Sequence, residues 1–145
     1  MNLLRQRLVS NGIDPSRVLW LERTDTPEEH LMQYSQIDIA LDTFPNGGCT
    51  TTCESLWMGV PTITFTGGAY VSRMSTAVLQ GAHLPSLCAT SVDDYIQIAL
   101  DLASNVKWLR SHRDHWRTSL QNNPLGDSSS LLQSIEAQLS HLVYN

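Results

Sequence analysis

Apolar positions recur with two different periods along the chain, and the period changes at each turn signal. Residues 1–11 set Leu3, Leu4, Leu8 and Val9 on one stripe ahead of Gly12, which predicts a short helix ended by a left-handed glycine. The turn Asp14-Pro15-Ser16 leads into residues 17–22 (RVLWLE), an apolar run of strand length. Thr26-Pro27-Glu28-Glu29 combines an N-cap, a proline at the first helical position and a glutamate three residues after the cap, so a helix is expected to about Gln36. Residues 37–42 (IDIALD) make a second expected strand, 43–48 (TFPNGG) a turn-rich loop, and 50–58 a helix closed by Gly59. A third strand is expected at 61–65 (PTITF), a loop at 66–68, a helix at 71–80 and a short fourth strand at 86–89. A second capping box, Ser91 with Asp94, opens a helix with Tyr95, Ile98, Ala99 and Leu102 on one face. Helices at 106–121 and 128–143 follow, separated by 122–127 (NNPLGD).

Strand and helix alternate through the first ninety residues and the rest is helical. That order predicts an α/β fold, a parallel sheet with crossover helices, as one domain over 1–145 with 105–145 as a helical extension. The first clear element is a helix, whereas a nucleotide-binding half normally starts on a strand, so the chain is expected to be the later part of something larger.

Composition narrows the function classes. The 145 residues carry 9 Lys+Arg against 14 Asp+Glu, a formal net charge of −5, which argues against a dedicated nucleic-acid binder. Mean hydropathy is −0.17 and no apolar run approaches the length of a membrane span, so no membrane partner is expected. The three cysteines, Cys49, Cys53 and Cys88, cannot all pair, and no secretory pattern precedes the first element; a reducing cytoplasm is the expected location.

Ligands of open α/β sheets sit beyond the carboxyl ends of the strands. Residues 42–54 (DTFPNGGCTTTCE) are such a place: a strand ends at Asp42, a loop containing Gly47 and Gly48 follows, and Thr50 and Thr51 open a helix. Unpaired N–H groups at a helix start attract anions, glycines remove the Cβ barrier and threonine hydroxyls add donors, so the implied chemistry is pyrophosphate binding. Thr51-x-x-Glu54 also reads as a capping box, and Asn46-Gly47-Gly48 as an ordinary turn, which leaves a plain capped helix as the competing reading. Glu54 shares a face with Thr50 and is placed to accept from ribose hydroxyls. His30, just inside the second helix, would flank a nucleobase or simply lie at the surface. Neither a P-loop nor a G-x-G-x-x-G fingerprint is present. The cysteine spacing and His112-x-x-His115 do not make a metal set, so no metal is expected. Lys107, Arg110, Arg113 and Arg117, with Trp108 and Trp116 between them, read as a solvated helix face.

Residues 38–61 (DIALDTFPNGGCTTTCESLWMGVP) resemble the C-terminal catalytic region of the protein O-GlcNAc transferase family, most closely its bacterial tetratricopeptide-linked members and the plant SPINDLY branch, a protein O-fucosyltransferase. The similarity runs upstream through His30-Leu31-Met32-Gln33-Tyr34 and downstream through Val71-Ser72-Arg73, Asp93-Asp94-Tyr95 and Asn123-Pro124-Leu125. It implies most of the second, Rossmann-like lobe of a GT-B glycosyltransferase that moves a sugar from a nucleotide donor to Ser or Thr hydroxyls of proteins, without a metal. By resemblance Thr50 and Thr51 hold the donor pyrophosphate, Glu54 the ribose, and His30 the base or its surroundings. Cys49 stands where the O-GlcNAc enzymes have histidine and the SPINDLY branch threonine, and Pro27 where the former have lysine, while Ser72-Arg73 follows the O-GlcNAc branch. The donor is therefore left as UDP-GlcNAc or GDP-fucose. The resemblance places the lysine that neutralises the leaving diphosphate, the acceptor-binding lobe and the tetratricopeptide repeats upstream, so no catalytic residue is assigned here, acceptor proteins are expected to bind through those regions, and a separate N-terminal lobe is a possible partner. The alternative is a non-catalytic nucleotide-sugar-binding module or an interaction remnant.

Overall fold

The computed structural model describes residues 2–123 and 126–144, in two compact units, Met1–Gln33 and Tyr34–Asn145. Pro124 and Leu125, the end of one stretch of the resemblance, lie outside the described residues.

The first unit is built by local signals. Helix α1 (Asn2–Ser10) ends at Gly12, whose φ of 77° is the left-handed conformation the sequence called for. Asp14 caps a single 3-10 turn, Pro15–Arg17, through its bond from the Ser16 amide. Helix α2 (Pro27–Met32) starts on a complete capping box: Thr26 accepts from the Glu29 amide at 3.2 Å while the Glu29 carboxylate accepts from the Thr26 amide. It tightens into a 3-10 turn over Gln33–Gln36 instead of continuing as α-helix to Gln36. Residues 17–22 form no strand. Strand propensity is expressed only where a ladder partner exists, and none of the described residues supplies one; Leu19 stays 75% exposed. No described residue of this unit is buried.

The second unit carries the sheet and the core. Three short strands, β1 (Ala40–Leu41), β2 (Thr62–Phe65) and β3 (Cys88–Ala89), pair in parallel in the order β1-β2-β3. The register sets Ala40 against Thr62 and Thr64 against Cys88. Helix α3 (Thr50–Trp57) connects β1 to β2, and α4 (Met74–Gly81) connects β2 to β3 after a 3-10 turn at Tyr70–Ser72. The α/β class with a parallel sheet is therefore the observed one, although pairing is shorter than the apolar runs at 37–42 and 86–89 suggested. Helix α5 (Val92–Ala103) follows its Ser91 cap, which accepts from the Asp94 amide; the Asp94 carboxylate turns to the Thr90 amide, one residue earlier than a capping box would place it.

The expected helix at 106–121 is two helices, α6 (Val106–Ser111) and α7 (Arg113–Gln121). His112 leaves helical geometry, its ring stacked 4.3 Å from Trp108. Leu109 on α6 and Trp116 and Leu120 on α7 enter the same core as Leu56, Val78, Leu79, Ala82, Leu84 and Leu87. Helix α8 (Ser128–Tyr144) starts on Asp127, which accepts from the Ser129 and Ser130 amides at 3.1 Å. No described helix is long and apolar enough to cross a membrane.

Candidate functional site

The carboxyl ends of β1 and β2 open onto the loop between Asp42 and α3, and that loop is organised by one carboxylate. Asp42 Oδ1 accepts from the Gly48 amide at 2.8 Å and from the Thr43 amide at 3.0 Å; its Oδ2 accepts from the Thr64 hydroxyl at 2.7 Å. The Asp42 carbonyl takes a further bond from the Tyr95 hydroxyl at 2.9 Å, and burial with the nearby Asp42 charge pushes that phenol up to about 12. Sequence reading passed over Asp42. Its signal was there: an aspartate at the end of an apolar strand, ahead of a glycine turn, is the ordinary acceptor for turn amides.

The two glycines are required by close approach. A Cβ on Gly47 would lie 3.0 Å from Asp42 Oδ2 and 3.2 Å from Ser75 Oγ, and one on Gly48 would collide with the Thr51 hydroxyl oxygen. Their amides are engaged within the protein, Gly47 with the Val71 carbonyl and Gly48 with Asp42. Both glycines thus shape the turn. Behind it, the buried Thr52 hydroxyl donates to Ser75 Oγ at 2.9 Å, and Ser75 donates to the Gly48 carbonyl at 2.5 Å. This network ties the start of α4 to the start of α3.

Helix α3 begins at Thr50 with Cys49 as N-cap, and no cap side chain bonds to it. Thr51 and Glu54 therefore lie inside the first turns and do not bracket the helix start, which corrects the capping-box alternative. Thr50 and Thr51 are exposed and Glu54 is half-buried on the same side. The first helical amide with a backbone acceptor is Cys53, bonded to the Cys49 carbonyl at 3.1 Å. As a helix start, this end carries the positive pole of the α3 dipole.

The opposite end of α3 is neutralised from α7. Arg113 donates to the carbonyls of Ile37 at 2.6 Å and of Tyr34 and Met58 at 3.3 Å, and Arg117 donates to the Trp57 carbonyl at 2.6 Å. Arg110 pairs with both oxygens of Asp38 at 2.8 Å, and this bond holds the Asp38 carboxyl below its usual range. The stripe is solvated at Lys107 and Arg110, as its composition suggested, but Arg113 and Arg117 turn inward as clamps, because carbonyls left over at a helix end need donors. Gly59, with φ of 76°, leaves room for the Arg113 backbone, which a Cβ would meet at 2.7 Å.

Thr50, Thr51, Glu54, Gly47 and Gly48 come together on this one loop and helix start. His30 lies exposed on α2 of the first unit. Among the described residues no group of three or more His, Cys, Asp or Glu is placed to hold a metal ion. Cys49 is exposed and Cys53 half-buried, the latter's thiol pushed up by burial first and then by its neighbours Cys49 and Glu54.

With this geometry in place, likenesses to known proteins carry weight. A family model described as "Glycosyl transferase family 41" matches residues 2–135. A Solanum lycopersicum protein named "Probable UDP-N-acetylglucosamine--peptide N-acetylglucosaminyltransferase SPINDLY" is 38% identical over 138 residues, 92% of this chain and 15% of that protein. A Caenorhabditis elegans UDP-N-acetylglucosamine--peptide N-acetylglucosaminyltransferase is 32% identical over 110 residues, covering 76% of this chain and 10% of the relative. Among solved structures, a mutant of the Thermobaculum terrenum O-GlcNAc transferase superposes with a TM-score of 0.77 at 31% identity, over 92% of this chain and 26% of that one. The chain thus spans only a small part of the length of the proteins it matches.

Proposed function

The chain belongs to glycosyl transferase family 41, and from that premise we propose that it is the nucleotide-sugar-binding part of a protein O-glycosyltransferase, the Rossmann-like second lobe of a GT-B enzyme. The observation that carries this reading is the uncapped start of α3 beside a turn held open by Asp42. The donor diphosphate lies over the leading amides of α3, with the Thr50 and Thr51 hydroxyls as further donors. Glu54, one turn on, accepts from the ribose. Gly47 and Gly48 contribute shape, since a side chain at either would displace Thr51 or Asp42.

The chemistry follows from charge. As the sugar leaves for a Ser or Thr hydroxyl of an acceptor protein, negative charge grows on the departing diphosphate. The α3 dipole and amides are fixed before that charge develops, so they stabilise it without reorganising. The donor is UDP-GlcNAc, in keeping with the names of the relatives, or GDP-fucose, in keeping with the SPINDLY branch of the resemblance. The reading requires no metal or other cofactor, takes the acceptor through a further lobe, and places the protein in the cytoplasm.

Calorimetric titration of UDP, GDP, UDP-GlcNAc and GDP-fucose into the purified chain tests it. One base series binds saturably, and Glu54→Ala weakens that binding about tenfold, the size expected for a lost charge-assisted bond. A folded chain that binds none of the four overturns the proposal.

A further inference from the structure

Tyr34 precedes β1 and brings a phenol to the first turn of α3, where its hydroxyl donates to the Thr51 carbonyl at 3.4 Å. A bond of that length is weak and easily exchanged for a better acceptor. Thr51 and Glu54 are three residues apart on one helix face, so phenol and carboxylate meet at the same turn. Burial, and then the Glu54 charge, push the phenol up from its ordinary value, so it is a protonated donor at neutral pH. A recess of about 120 Å3 lies there, lined by Tyr34, Asp42, Thr51, Thr52 and Thr62 among others. Thr62 is 4% exposed and its hydroxyl has no partner. That volume is about four waters and well short of a whole ligand pocket, so the recess takes one edge of a ligand. A lining of hydroxyls and carboxylate suits an edge that is itself hydroxylated.

We propose that Tyr34 reads the ribose of the bound nucleotide with Glu54, its phenol donating to one ring hydroxyl while the carboxylate accepts from the adjacent one. The inference rests on the nucleotide-sugar reading above and adds a residue that selects ribo- over deoxyribonucleotides.

The test compares the nucleoside diphosphate that binds the wild-type chain, UDP or GDP, with its 2′-deoxy and 3′-deoxy forms. Wild type favours the ribonucleotide over at least one deoxy form by about fivefold, the worth of a neutral hydrogen bond. Tyr34→Phe loses that preference: the ribonucleotide weakens about fivefold and the deoxy form holds its affinity. The substitution removes one oxygen and keeps the ring, and thermal melting by circular dichroism verifies that the variant is folded. Should it melt early, wild type and Glu54→Gln are compared with the same ligand set at reduced temperature; a deoxy penalty of unchanged size in Glu54→Gln, or none in wild type, overturns the shared reading of the diol. Tyr34→Phe that keeps the wild-type preference, or weakens both ligand forms equally, overturns the role of Tyr34 alone. A wild-type chain that binds no nucleoside diphosphate removes the underlying reading and this one with it.

Discussion

Two helix starts in this chain look alike as sequence, threonine followed three or four residues later by glutamate, and they are built in opposite ways. At α2, Thr26 and Glu29 satisfy each other's amides in a complete capping box, and no described residue of that unit is buried. At α3 the N-cap is Cys49 and makes no side-chain cap bond, while Thr52, Ser55 and Leu56 are buried and Arg113 and Arg117 hold the far end. A helix with little packing depends on its local cap. A helix anchored by core and clamps can leave its first amides open, and open amides are what an anion requires. Stability supplied from elsewhere is what lets α3 begin without a side-chain cap on its N-cap residue.

The comparison is broken most decisively in the core. Leu56→Ala should lower unfolding stability by about 2–5 kcal/mol, because Leu56 is fully buried and its removal leaves a cavity under α3. Leu19→Ala in the first unit should change stability by no more than about 0.5 kcal/mol, Leu19 being 75% exposed. Urea titrations of the two variants check both, and equal losses would contradict the picture of one packed and one locally held region.

The caps give the next largest effect. Thr26→Ala should cost about 1 kcal/mol of stability and leave nucleotide affinity unchanged. Thr50→Ala should leave stability within about 0.5 kcal/mol and weaken nucleotide binding instead. Melting curves paired with calorimetry separate these, and a Thr50→Ala variant that melts early yet binds normally would reverse the assignment.

The smallest effect is electrostatic. The Asp38 carboxyl is held below its usual range first by its bond from Arg110, so the pair stabilises the fold above the unfolded aspartate pKa. That contribution is lost as pH falls through the lowered folded value. Arg110 is well exposed, and solvent keeps the contribution small. Asp38→Asn should therefore lower the melting temperature slightly at pH 7 and match wild type in strong acid; a difference that grows as pH falls would show the sign to be wrong.

Features governed by neighbours in the chain could be read without the fold. Gly12 and Gly59 both adopt the left-handed conformation at helix ends, the Thr26 box forms, and Ser91 caps α5. Each depends on atoms a few residues apart, so a short window of sequence contains the whole interaction. The loop from Asp42 into α3 was legible for a related reason: a strand end, a glycine turn and a run of threonines are contiguous. What each residue does there was not. The glycines serve packing contacts with Asp42, Ser75 and Thr51, and two of those partners come from residues 42 and 75, outside the turn itself.

By itself the sequence determined most helices and their caps, the parallel α/β class and the family, because periodicity, caps and contiguous motifs are properties of the chain. The tertiary structure decided which apolar runs became strands, that Asp42 gathers Gly48, Thr43 and Thr64, and that Arg113 and Arg117 are clamps. Residues 17–22 show why: an extended segment becomes sheet only beside a partner. Arg113 makes the same point, for the carbonyls it satisfies come from Tyr34, Ile37 and Met58, more than fifty residues away along the chain.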